Sequence, residues 1–89
     1  MKAVITVLGQ DRIGIIATIT GILAEENVNI LDISQTIMQN IFTMIMLVDL
    51  SKMKCDIQHL NERLGKAGAQ LGVEVRLQRE EIFTSMHRI

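Results

Sequence analysis

Between Gly9 and Gly14 the chain reads Gly-Gln-Asp-Arg-Ile-Gly, an acid, a base and two glycines set between apolar runs. Such residues between a strand and a helix can hold an anion. The first N–H groups of a helix are unpaired and carry partial positive charge, and glycine lets a ligand reach that backbone closely. Gly9 and Gly14 have the Gly-x4-Gly spacing of a phosphate loop, but Ile15 and Ile16 stand where its lysine and hydroxyl belong. Nothing there would neutralise phosphates or hold magnesium. The dinucleotide fingerprint fails as well, since only two of its three glycines can be placed.

A carboxylate is a better guest for the N–H groups of Ile15 and Ile16. Asp11 can accept a hydrogen bond from an amine, so the loop offers complementary ends to an amino acid. Asp11 can equally cap the helix, with Gly9 merely turning the chain. Arg12 beside a helix start gains nothing from the helix dipole. It pairs with a ligand carboxylate or with an acid of a neighbouring chain, or it is a solvated loop charge. On any of these readings Arg12→Ala leaves the monomer fold intact, within about 0.5 kcal/mol.

Other reactive side chains are sparse. Cys55 and His59 are four residues apart and could share a helix face, but two ligands are half a zinc site and His87 is far along the chain. No metal and no cofactor is expected. The Cys55 thiol near a helix start could be mildly activated, or be simply a small half-buried residue.

The elements that would carry these residues follow from the apolar period. Lys2 to Leu8 is rich in Val and Ile and predicts a strand. From Ile13 the period turns helical, with Ile15, Ile16, Ile19, Ile22 and Leu23 on one stripe ending near Asn27. Asn29 to Met38 alternates, Ile41 to Leu50 is a further strand, and Gln39-Asn40 predicts a tight hairpin between them. A two-residue turn pairs residues whose numbers sum to about 79. Ile37 then faces Phe42, Ile33 faces Met46, and Leu31 faces Val48, all on the core side. A second helix carries Ile57, Leu60, Leu64, Ala67 and Leu71, with Gly72 capping its end. Val73 to Gln78 alternates as the last strand, with Val75 and Leu77 inward. The order β-α-β-β-α-β, with right-handed crossovers, predicts an α+β, ferredoxin-like sandwich whose antiparallel four-stranded sheet has the order 4-1-3-2.

That fold serves many functions, so residues must discriminate among them. RNA readers expose aromatics on the central strands, whereas Phe42 faces the core. Metal carriers have paired cysteines in the first loop, which has none. An acylphosphatase-type enzyme would use an arginine in that loop, yet Arg12 has no Asn partner aimed at the same point. Composition agrees: nine basic and ten acidic residues give a net charge of −1, and neither Tyr nor Trp occurs. This is not the footprint of a nucleic-acid or anionic-lipid binder. With 89 residues the chain suits one small domain, and a domain of this size gains from a partner. One cysteine fits a reducing compartment, and the N-terminal apolar run is too short to span a membrane. A soluble, cytoplasmic protein is expected.

The stretch Gly-x-Asp-Arg-x-Gly-Ile, followed by "NVNILDI" at Asn27 to Ile33, resembles an ACT domain. The resemblance runs from about Lys2 to Gln78. The chain is similar to stand-alone ACT proteins related to the glycine-cleavage transcriptional repressor, and the ending "EEIFTSMHRI" is similar to the tail of that group. The resemblance implies a non-enzymatic regulatory module that binds a small molecule, usually an amino acid, where two ACT domains meet. By motif match Asp11, Arg12 and Gly14 take the loop positions, and Asn27 and Asn29 those entering the second strand; Ile15 lends its N–H. Ile13 stands where many members have Pro. The alternative is a protein-interaction or dimerisation module of ACT fold that binds no ligand.

Two further expectations concern assembly. Ala17, Gly21 and Ala24 form a small-residue strip opposite the buried stripe of the first helix. The second strand is an edge beside that helix. Pairing two such edges would make a homodimer with Gly14 of one copy near Asn29 of the other. Residues 79–89 form a separate tail, partly helical, with Ile82, Phe83, Met86 and Ile89 on one face. The outer sheet face, where Val4, Ile45 and Leu47 point, would receive it.

Overall fold

The computed structural model describes residues 1–81. Its elements are β1 (Lys2–Gln10), α1 (Ile15–Glu25), β2 (Asn29–Met38), β3 (Ile41–Asp49), α2 (Ile57–Leu71) and β4 (Val73–Arg79). The sheet is antiparallel with the order β2-β3-β1-β4, as the crossover argument requires. The expected tail face at Ile82, Phe83, Met86 and Ile89 lies outside the described residues.

Inward side chains of β1 (Ala3, Ile5, Val7) and β3 (Phe42, Met44, Met46, Val48) are fully buried. They pack against Ile15, Ile19 and Leu23 of α1 and against Leu60 and Leu64 of α2. Each such side chain contributes roughly 1.5–3 kcal/mol by leaving water. β4 comes close over this core. A methyl group on Gly9 would lie 2.7 Å from Val73 Cγ1, and one on Gly68 would lie 2.8 Å from the Val73 carbonyl oxygen.

Local chemistry sets the element ends. Asp56 caps α2 by accepting from the His59 N–H at 2.8 Å. Gly72 ends it in the left-handed conformation (φ 73°), returning its N–H to the Gly68 carbonyl. At the β2–β3 turn Gln39 and Asn40 both have positive φ, 49° and 72°, the conformation a two-residue hairpin needs.

The structure changes the sequence reading at four places. The first helix begins at Ile15, two residues late, because Gly14 turns left-handed at its N-cap. Ile16 does not join the buried stripe but is exposed. Leu31 does not face Val48. A bulge between Ile30 and Asp32 gives that partner to Ile30, and the sum of 79 holds only from Asp32 to Met38. Finally, Ile33 and Ile37 lie on the helix side as expected yet remain 44% and 51% exposed. The helices explain this. α2 packs on β4 and on α1, so β2 is left as an edge that neither helix covers. In that strand every residue except Ile30 is exposed.

Candidate functional site

The first loop leaves β1 at Gln10, and the Asp11 N–H donates to the Asn40 carbonyl at 2.7 Å, tying the loop to the hairpin. Asp11 is not the helix cap. Gly14 occupies the N-cap (φ 93°), no side chain among the described residues caps the helix, and no acid lies in its first turn. The N–H groups of Ile15 and Ile16 therefore keep the open terminus inferred from the glycine spacing. A methyl group on Gly14 would meet no described residue within 4 Å. Ile13, beside it, is fully exposed.

Arg12 turns away from this terminus. Its guanidinium Nη1 donates to the Leu71 carbonyl at 3.1 Å and lies against Gly72. Reading Arg12 from its own helix alone missed this partner. The dipole it serves belongs to the C-terminus of α2.

The two asparagines lie past the other end of α1, roughly 16 Å from Gly14 at 1.5 Å per helical residue. One chain thus does not bring Asp11, Arg12 and Gly14 together with Asn27 and Asn29. Asn27 is left-handed (φ 63°), and its Nδ2 donates to the Lys52 carbonyl at 2.8 Å. That bond holds the β3–α2 loop and uses one of the two Nδ2 hydrogens. Asn29 is exposed and pairs across the ladder with Asp49.

These residues open onto a cavity of about 340 Å³ lined by Ala24, Asn27, Val28, Asn29, Asp49 and Lys52. Asp49 and Lys52 were missed in the sequence. Asp49 Oδ1 accepts from the Ser51 hydroxyl at 2.6 Å and the Ser51 N–H at 2.9 Å, and the N-terminal ammonium lies 4.0 Å away. The Ser51 hydrogen bonds hold the Asp49 carboxyl below the usual carboxylate range. The signal was an Asp-x-Ser at a strand end, which by itself reads as a turn.

Glu25, Glu26, His59 and Arg63 form a structural clamp. Arg63 donates to Glu25 Oε1 at 2.7 Å and to Glu26 Oε2 at 2.9 Å, joining α2 to the end of α1. His59 Nε2 lies 3.6 Å from Glu26 Oε2. Burial and the neighbouring Glu26 push the Cys55 thiol up, which is the reverse of activation. Among the described residues no group of acids, histidines and cysteine could hold a metal ion. No described helix is long and apolar enough to cross a membrane. Ala17, Gly21 and Ala24 are all exposed on α1.

The family model of the ACT domain matches residues 2–78. A UPF0237 protein of Methanocaldococcus jannaschii is 59% identical over 88 residues, covering 99% of this chain and 98% of its own. An ACT domain protein from Streptococcus pneumoniae superposes with a TM-score of 0.80 at 42% identity, covering 93% of each chain. A candidate glycine cleavage system transcriptional repressor superposes with a TM-score of 0.74 at 26% identity, over 88% of this chain and 44% of that one.

Proposed function

The chain belongs to the ACT domain family, and on that footing we propose that it is a non-enzymatic regulatory protein that binds an amino acid as a homodimer. The ACT domain is a small-molecule-binding regulatory fold. The observation that carries the reading to assembly is β2. It is a ten-residue edge strand with one ladder unpaired and with Ile33 and Ile37 uncovered on the helix side. Exposed edges of this kind are templates for pairing with another chain.

Two copies joined edge to edge would continue the sheet through eight strands and bring together their Ala17, Gly21 and Ala24 strips. Gly14 of one copy would then approach Asn29 of its partner. The open helix terminus at Gly14 suits a ligand carboxylate, and the polar cavity at Asn29 suits the amine. Asp11 and Asn27 stand beside these two ends, and Arg12 serves the site by holding the loop against α2. The lone cysteine suits a reducing compartment, and we place the protein in the cytoplasm.

A thermal-shift screen against the twenty protein amino acids tests the ligand. A ligand at 100 times its Kd should stabilise the fold by about 2.7 kcal/mol. A screen in which none of the twenty raises the transition would overturn amino-acid binding. It would favour a second reading supported by Ile13, Met38 and Ile41, exposed apolar side chains on the first loop and on the hairpin to which that loop is tied. On that reading the protein is a docking or dimerisation module.

A further inference from the structure

We propose that Asp49 reads the ligand's ammonium group, so that the cavity at the start of β2 selects α-amino acids over the matching α-hydroxy acids. This deepens, and rests on, the amino-acid reading above.

At about 340 Å³ the cavity lies at the small end of ligand pockets, which span roughly 300–1,000 Å³. Its lining contains one acid, Asp49, and one base, Lys52, so a single wall system presents both charges of a zwitterion. The other polar atoms favour an ammonium. Asn27 uses one Nδ2 hydrogen on the Lys52 carbonyl, and its Oδ1 is an acceptor. Asn29 adds an amide whose oxygen is a further acceptor. An ammonium has three donors and no acceptor, and three acceptor side chains around one cavity match it.

Asp49 is also prepared for that task. Among the described residues both hydrogen bonds it accepts, from the Ser51 hydroxyl and the Ser51 N–H, fall on Oδ1, and a ligand ammonium would take Oδ2. The same bonds fix the carboxylate before a ligand arrives, and they keep it ionised. The N-terminal ammonium donates to the Ser51 hydroxyl at 3.2 Å and lies 4.0 Å from Oδ1, so it shares the Oδ1 side of the carboxylate. Lys52 is left to share the ligand carboxylate with the Gly14 helix terminus of a second copy. A hydroxy acid of the same shape would keep the carboxylate contacts and lose the charge-assisted bond to Asp49.

The test is calorimetric titration of the full chain with alanine, serine and aspartate, each against its hydroxy counterpart, lactate, glycerate and malate. For the wild type, at least one amino acid is expected to bind about tenfold or more tightly than its hydroxy counterpart. Asp49→Asn keeps an acceptor for Ser51 and should bring that ratio close to one, chiefly by weakening the amino acid. A wild-type ratio near one overturns the assignment without any variant. So does an Asp49→Asn protein that keeps the wild-type ratio, and in both cases amino-acid binding itself stands. A wild type that binds none of the six removes this proposal, and the thermal screen of all twenty amino acids decides separately whether the broader reading falls with it.

Discussion

Arg12 in the first loop and Leu71 at the end of α2 are joined by a hydrogen bond of 3.1 Å across 59 residues of sequence. The bond sets a cation on the last carbonyls of a helix, where the macrodipole favours it. It also tethers the loop that presents Gly14. Arg12→Ala should therefore lower stability by about 0.3–1 kcal/mol, a range that reaches above the small change expected for a free loop charge. Urea unfolding at matched protein concentration measures it. Arg12→Lys should recover part of the loss, and an alanine variant as stable as wild type would mean the contact contributes nothing.

The glycines separate by what surrounds them. Gly21 lies in mid-helix with open space where a methyl would go, so Gly21→Ala should stabilise the isolated fold by about 1 kcal/mol. Gly9→Ala drives a methyl to 2.7 Å from Val73 Cγ1 and 2.9 Å from its Cα, and should cost about 1–3 kcal/mol. Opposite shifts of the thermal midpoint are the expected outcome. Equal shifts would mean that β4 gives way at Val73.

Arg63 holds the Glu26 carboxyl below the usual carboxylate range, with burial opposing and a hydrogen bond involving Cys55 assisting. A carboxylate whose folded pKa is depressed adds stability above its unfolded pKa and loses it as pH falls through the folded value. Glu26→Gln should thus be less stable than wild type at neutral pH. The gap should close as pH is lowered through and below the carboxylate range. Unfolding curves across that range test this, and a gap that widens towards acid would contradict it.

Cys55 is half-buried and its thiol is pushed up by burial and by Glu26. The thiolate is the reactive form, so alkylation by iodoacetamide at neutral pH should run slower than for a free cysteine peptide. Glu26→Gln removes the negative neighbour and should speed it. A wild-type rate above that of the peptide would point to an activated thiol.

The elements were legible because punctuation and period agreed. Gly72 and Gln39-Asn40 stand where left-handed backbone is required, and alternation in β3 matched its burial. The bulge was not legible, because Ile30 and Leu31 are adjacent and both apolar, so either could be the residue facing inward. Arg12 and Asp49 were opaque for a different reason. Their partners, Leu71 for the first and the Asn29 cavity for the second, come near only through the tertiary fold. The turn at the loop glycine was readable, since Gly14 takes the left-handed backbone that a glycine before a helix suits.

The central claim is that two copies build the site between them, and sedimentation equilibrium of the full chain at tens of micromolar tests it most directly. The account predicts twice the 10.0 kDa chain mass for wild type. It also predicts a shift towards the single-chain mass for Gly21→Leu, whose side chain would overpack the meeting of the two α1 strips. A wild type that sediments at the single-chain mass, with and without amino acids, would contradict both the dimer and the shared site.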